Sequence, residues 1–195
     1  MAEVFIRSID ELDIDSVWDQ LSDMRKEKIK RLKNKKQALL SAAAELALSD
    51  AIRKWFPNSE LPVKYTYDEN GKPYLTELNA YISLSHSGRL AVCAISENEI
   101  GVDIQTVRRA DMRVARRFFS EEENELIRGA SDKDRAFFEI WVKKEAYVKL
   151  TGEGISGGFA VSNRDKTREY GYDIRYIEAE NSLLCTCERK MYKNS

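Results

Sequence analysis

The sequence predicts an α+β chain folded as two similar α/β lobes packed together, with the join near residue 100. Three observations carry this expectation. Strand-like and helix-like patterns fill the first half, and a similar order of elements restarts from about residue 108. Each half holds one long helical pattern with core-facing character, residues 36–56 and 132–150. No stretch rich in Pro or Ser separates the halves, so lobes 1–99 and 100–195 are expected to meet directly.

In chain order, residues 3–9 read as a strand. Residues 15–33 read as one helix with Val17, Trp18, Leu21, Met24, Ile29 and Leu32 at its apolar positions. The stretch Lys26 to Lys36 carries six Lys and Arg31, a density that usually marks a solvated face. Residues 36–56, rich in Ala and Leu, form a second helix that ends at Pro57. Turn signals follow at Pro57-Asn58 and Asn70-Gly71, with strand-like runs at 65–67, 81–84 and 90–95. Residues 100–107 alternate, with Ile100, Val102 and Ile104 on one face and Gly101, Asp103 and Gln105 on the other. Residues 110–118 are helical, and Ser120 with Glu123 matches a capping box opening the next helix. After the long helix 132–150, Gly152, Gly154, Gly157 and Gly158 mark a loop, and strands are expected at 172–179 and 182–189.

The charges exclude some functions. Lys and Arg number 32 against 33 Asp and Glu, a net charge of −1, so no bulk positive field attracts nucleic acid and any phosphate binding must be local. The three cysteines cannot all pair with one another. Cys93 lies in an apolar run, Cys185 and Cys187 share a strand face, and a single His argues against zinc. Free thiols point to a cytoplasmic protein. The amino terminus reads as a strand, not a signal peptide, and no apolar run is long enough to span a membrane.

Four segments could carry chemistry. On the helix containing Trp141-Val142-Lys143-Lys144-Glu145-Ala146-Tyr147-Val148-Lys149, the side chains of Phe137, Phe138, Trp141, Val142, Ala146 and Val148 form an apolar stripe. Glu145 and Lys149 fall near its middle. A charged pair there is costly unless a site needs it, whereas on a wet helix face the same spacing is an ordinary i,i+4 pair. A carboxylate beside an ammonium can hold a cation and an anion together, the local need of phosphoryl chemistry. Asp103 and Gln105 point the same way from one strand and could meet a hard cation; the plain alternative is an edge strand with a solvated polar face. Ser85-His86-Ser87-Gly88 reads as a tight polar turn able to cradle a phosphate, or as an ordinary hairpin turn. Asn70-Gly71-Lys72-Pro73 is by itself simply a turn.

Together these segments carry a resemblance. Gly71-Lys72-Pro73, Ser85-His86-Ser87, Gly101-Val102-Asp103-Ile104 and Trp141-x-x-Lys144-Glu145-Ala146-x-x-Lys149 occur in this order, and over residues 25–160 the sequence resembles the 4′-phosphopantetheinyl transferases of the surfactin-synthetase-activating type. The resemblance implies a two-lobed pseudodimer in one chain, with coenzyme A in the cleft between the lobes. It implies magnesium-dependent transfer of the phosphopantetheine arm from coenzyme A to a serine of an acyl or peptidyl carrier protein, releasing 3′,5′-ADP. Carried over by motif, Asp103 and Glu145 hold magnesium with Gln105 as a third ligand, and Lys149 contacts the pyrophosphate; Glu145, Lys149 and Asp103 form the catalytic set. Ser85 and His86 hold coenzyme A phosphates, His86 on the 3′-phosphate, and Lys72 lies near the adenine nucleotide. Glu123 matches an acidic position of the family. Two departures stand out. Many relatives place Glu where Gln105 stands, and an amide is the weaker magnesium ligand. Where relatives carry an Arg on the 3′-phosphate, Lys35-Lys36-Gln37 stands here, giving that role to Lys36 without the bidentate fork.

Arg108, Arg109, Arg113, Arg116 and Arg117, interspersed with Met112, follow the Asp103 strand and form a candidate docking surface for an acidic carrier. A monomer with no nucleic acid and no membrane partner is expected. Two other functions use the same residues: a non-catalytic coenzyme A or nucleotide-binding module, and a magnesium-dependent pyrophosphate hydrolase with water as acceptor.

Overall fold

The structure, a computed structural model, describes residues 2–153 and 169–190. It is mixed α/β, built on two antiparallel sheets. Strands β1 (Glu3–Ser8), β2 (Tyr65–Tyr67), β3 (Pro73–Leu75), β4 (Tyr81–Ser87) and β5 (Leu90–Ser96) form one sheet in the order β1-β5-β4-β3-β2. Strands β6 (Ile100–Thr106), β7 (Tyr170–Ile177) and β8 (Ser182–Arg189) form the other in the order β6-β8-β7. The helices are α1 (Ile14–Val17), α2 (Asp23–Arg31), α3 (Lys35–Trp55), α4 (Met112–Phe118), α5 (Glu121–Gly129) and α6 (Lys133–Thr151). Of the predicted glycine loop, Gly154, Gly157 and Gly158 lie outside the described residues.

Helix α3 packs across β1, β5 and β4, and α6 across β6 and β8. Ala42, Ala43, Ala47 and Ala51 of α3 are wholly buried, and their small side chains let the helix lie close to its neighbours. Ile52, Ile82 and Ile95 meet in this layer, each contributing roughly 1.5–3 kcal/mol by burial. The two sheets share a further apolar layer, in which Leu90, Val92 and Ala94 of β5 face Ile100, Val102 and Ile104 of β6 and Leu184 of β8. The alternation read in residues 100–107 therefore holds: the Ile-Val-Ile face meets β5, and the Gly-Asp-Gln face turns away from it.

Several elements differ from the sequence reading. The helix expected at 15–33 is broken. α1 leads into a single 3₁₀ turn, Leu21 is extended and buried, and Ser22 caps α2 by accepting the Arg25 N–H at 3.2 Å. A Ser at that point with Asp23 in the first turn restarts a helix instead of continuing one. β3, three residues opening on Pro73, carries no strand signal, since proline is depleted in strands. Ser85, His86 and Ser87 are strand residues of β4, paired with Val92, Ala91 and Leu90, and the turn lies beyond them at Gly88, whose φ is +61°. The Ser120–Glu123 capping box is present in both directions. All three cysteines are free and buried.

Candidate functional site

Gly101 sets the site. A Cβ at this position would stand 1.9 Å from the Ala146 carbonyl oxygen and 2.6 Å from the Leu150 nitrogen. β6 therefore lies directly on the backbone of α6, a proximity open only to glycine. Two residues on, Asp103 reaches the same helix: Lys149 Nζ stands 2.7 Å from Asp103 Oδ1. Lys149 thus pairs with Asp103, across elements, and not with Glu145 on its own helix. Asp103 is only 2% exposed. Its Oδ1 also accepts from Ser85 Oγ at 2.7 Å, and its Oδ2 from Gln105 Nε2 at 3.0 Å. Ser85 Oγ in turn accepts from Lys149 Nζ at 2.7 Å.

Ser85 belongs to a ladder. The hydroxyls of Ser83, Ser85 and Ser87 on β4 accept the N–H groups of Val102, Ile104 and Thr106 on β6, at 3.0, 3.4 and 3.0 Å. Side chains of the first sheet thereby satisfy the open edge of the second, which no backbone strand covers. The plain reading of Asp103 and Gln105, a solvated edge strand, does not hold for the buried Asp103.

These residues border a cavity of about 710 Å³ lined by Ser85, His86, Asp103, Gln105, Glu145 and Lys149, with Trp141 on one side. Burial, then the negative charge of Asp103, push the Glu145 carboxyl up to about 7, against the opposite pull of Lys149. Two carboxylates and an amide are oxygen donors, and like charges in one cavity favour a divalent ion. Among the described residues no group of three or more acidic, Cys or His side chains forms a cage. The donor set suits a hard cation that keeps positions open for waters and ligand phosphates, as magnesium does.

The cavity is also lined by cations: Arg25, Lys28, Arg108 and Arg109. His86 reaches solvent but sits in a concave site crowded by protein; that crowding, then Lys149, Lys28 and Arg25, lower its pKa. Arg25 and Lys28 were not singled out from the sequence, where the neighbouring basic run looked like a wet face. Arg25 is fully buried, its guanidinium held by Glu45 at 3.0 Å, Ser41 at 3.2 Å and the hydroxyls of Tyr65 and Tyr67 at 2.8 and 3.3 Å.

Two predicted residues do not reach this cavity. Lys36 is exposed in the first turn of α3, while its neighbour Gln37 lines the cavity. Lys72 is buried, and its ammonium donates to the Leu150 carbonyl near the C-terminal end of α6, where the helix dipole favours a cation. Gly71 and Pro73 on either side of it do line the cavity. Glu123 lies behind α6, with Oε2 3.0 Å from Nζ of Lys144, and both side chains are almost fully buried. In the arginine cluster, Arg113 folds back on Asp111 at 2.6–3.1 Å, and Arg117 lies over the Phe118 ring.

Known sequences resemble this chain. The sequence model of the 4′-phosphopantetheinyl transferase superfamily matches residues 99–190. The 4′-phosphopantetheinyl transferase Sfp of Bacillus subtilis (strain 168) is 30% identical over 141 residues, covering 70% of this chain and 62% of that protein. The 4′-phosphopantetheinyl transferase gsp of Aneurinibacillus migulanus is 29% identical over 163 residues, 78% of this chain and 66% of that protein. HetI of Nostoc sp., another 4′-phosphopantetheinyl transferase, reaches 42% over 103 residues, 48% and 44% respectively. The chain thus spans less than two thirds of the length of Sfp.

Proposed function

We propose that this chain, like the 4′-phosphopantetheinyl transferases it resembles, moves the phosphopantetheine arm of coenzyme A onto a serine of an acyl or peptidyl carrier protein and releases 3′,5′-ADP. The observation that carries this reading is the meeting of Asp103 from β6 and Glu145 from α6 in one cavity, with Lys149 paired to Asp103 and further cations among the lining residues.

The diphosphate of coenzyme A would lie among these groups. His86 and the cations lining the cavity would take phosphate oxygens, and Lys149 would lie on the diphosphate. The carrier serine oxygen attacks the β-phosphorus. Its new O–P bond replaces the bond to the bridging oxygen, which leaves on 3′,5′-ADP. Glu145, on the cavity wall, would accept the serine proton. A magnesium ion, when bound, would neutralise charge on the diphosphate, and Asp103, Glu145 and the amide of Gln105 are the groups that would hold it. The buried position of Asp103 keeps that carboxylate fixed, so most of the catalytic effect is positioning and charge compensation.

The repeated pattern of one long helix on one antiparallel sheet, α3 on the first and α6 on the second, supports reading the fold as a pseudodimer with lobes 1–99 and 100–195. The cleft between them is then the coenzyme A site. Incubation with coenzyme A, magnesium and a panel of apo-carriers, followed by intact mass, tests the reading. The carrier should gain the mass of one phosphopantetheine arm. Glu145→Gln should keep coenzyme A binding and lose transfer. Breakdown of coenzyme A with no carrier gain would instead favour a hydrolase, and binding without turnover a non-catalytic module.

A further inference from the structure

Helix α6 ends on a buried carbonyl that is answered from another part of the fold. The last carbonyls of an α-helix have no donor within the helix. Here Gly152, with φ at +74°, turns its N–H back to the Val148 oxygen at 2.8 Å. The Leu150 carbonyl takes the ammonium of Lys72, which stands at the entrance to β3 in the first sheet. Leu150 is 1% exposed and Lys72 7%, so little water reaches this bond. The ammonium also lies 5.4 Å from the centroid of the Tyr74 ring. Lys72 closes a stiff turn. Asp68 Oδ1 accepts the N–H groups of Asn70 and Lys72 at 2.9 and 2.8 Å, and the Asp68 N–H donates to the Lys72 carbonyl at 3.0 Å. These bonds keep the turn in shape without the ammonium. Gly71 and Pro73 line the cavity, while the Lys72 side chain runs to α6. A Cβ on Gly152 would stand 3.7 Å from Asp68 Oδ2, so the turn also abuts the helix end.

We propose that Lys72 is a positioning residue whose side chain caps α6 from the first sheet and thereby holds Lys149, one residue before the capped carbonyl, in place for the diphosphate. This deepens the transferase reading and rests on it. Lys149 lies in the last turn of α6, the part of a helix that frays unless its open carbonyls are held. A cation at a helix C-terminus is also favoured by the helix dipole. A metal ion on Asp103 and a diphosphate on Lys149 use neither the Leu150 carbonyl nor the Lys72 ammonium, so the cap is compatible with a loaded site. The cavity-facing backbone of the turn stays open to the nucleotide.

Lys72→Met keeps a long apolar stem and removes the donor. Hydrogen exchange of the ligand-free protein reads the cap itself. The amides of residues 149–152 should exchange roughly tenfold faster, with those of residues 140–146 unchanged. Calorimetry reads the consequence. Coenzyme A affinity should fall roughly fivefold in Lys72→Met, but by less than about twofold when Lys149→Met is already present, because the effect passes through Lys149. Lys72→Arg, which keeps the charge and the donors, should restore both the protection and the affinity. If Lys72→Met does not fold, Lys72→Gln, which loses the charge, carries the same comparison. An affinity loss of equal size in both backgrounds would make Lys72 a direct contact of the ligand and overturn the proposal. Faster exchange spread evenly over both sheets would overturn it too, since that marks a residue serving stability alone, and so would a Lys72→Arg chain indistinguishable from Lys72→Met. If the unaltered chain binds coenzyme A but modifies no carrier, the transferase reading falls, and both comparisons still decide for or against Lys72.

Discussion

Glu145 is a carboxyl group placed where its charge is disfavoured, first by burial and then by Asp103. The consequence for stability has a definite sign. Unfolded, the group titrates near 4.5, and folded near 7. Its contribution is therefore fully present below about 4.5 and is lost as pH rises through about 7, where the folded state must hold a second negative charge. Unfolding of the metal-free protein, measured against Glu145→Gln across this window, should show the difference shrinking by on the order of 1–3 kcal/mol, less whatever water screens. Added magnesium should recover part of the loss in the unaltered protein alone. A flat difference curve would mean that the carboxyl is not held as its surroundings imply. The residues of this site were legible to different degrees. Glu145 and Lys149 stood out because charge on an apolar stripe breaks a local pattern, whereas Asp103 sits on the polar face of an alternating strand and is marked only by the Gly101-Val102-Asp103-Ile104 motif of the resemblance. Arg25 did not, because its partner Glu45 is twenty residues away and nothing local marks the pair.

At the scale of elements, periodicity gave most of the helices and strands, and failed where the determinant is a single contact. The break after residue 20 depends on one serine hydroxyl, and the Ser85-His86-Ser87 stretch looked like a turn because serines are common in turns. Here the serines extend a strand whose hydroxyls serve a neighbouring strand's N–H groups. The glycine of Gly101-Val102-Asp103 carries comparable hidden information, since its need is set by α6, more than forty residues on. Gly101→Ala should push β6 off α6, destabilise by about 3 kcal/mol or more, and lower transfer even where the protein still folds. Gly129→Ala, in the last turn of α5 with nothing within 4 Å of the added methyl, is the matched control. It should be neutral or raise stability by a few tenths to about 1 kcal/mol. Equal losses from the two substitutions in chemical denaturation would remove the close strand–helix approach as the reason for the glycine.

For the whole molecule, the balance of charges makes any steering of a partner a local matter. A net charge of −1 gives no general attraction, so under the proposed function an acidic carrier would be steered by Arg113, Arg116 and Arg117 on α4, close in sequence to Arg108 and Arg109 that line the cavity. The latter two cannot test docking, because losing them would also alter the cavity proposed for coenzyme A. Arg113 and Arg116 can, although Arg113 is already clasped by Asp111, which leaves Arg116 the larger share. Reversing both to Glu should raise KM for the carrier roughly tenfold at low salt and leave KM for coenzyme A unchanged. Reversing Arg53 and Lys54 instead changes the net charge by the same amount in the last turn of α3, where neither residue borders the cavity. The local field predicts that only the first pair matters and that its effect fades as ionic strength rises past the point where the screening length drops below about 8 Å. An equal rise in carrier KM from both reversals would show that total charge governs the encounter, and would move the docking surface away from α4.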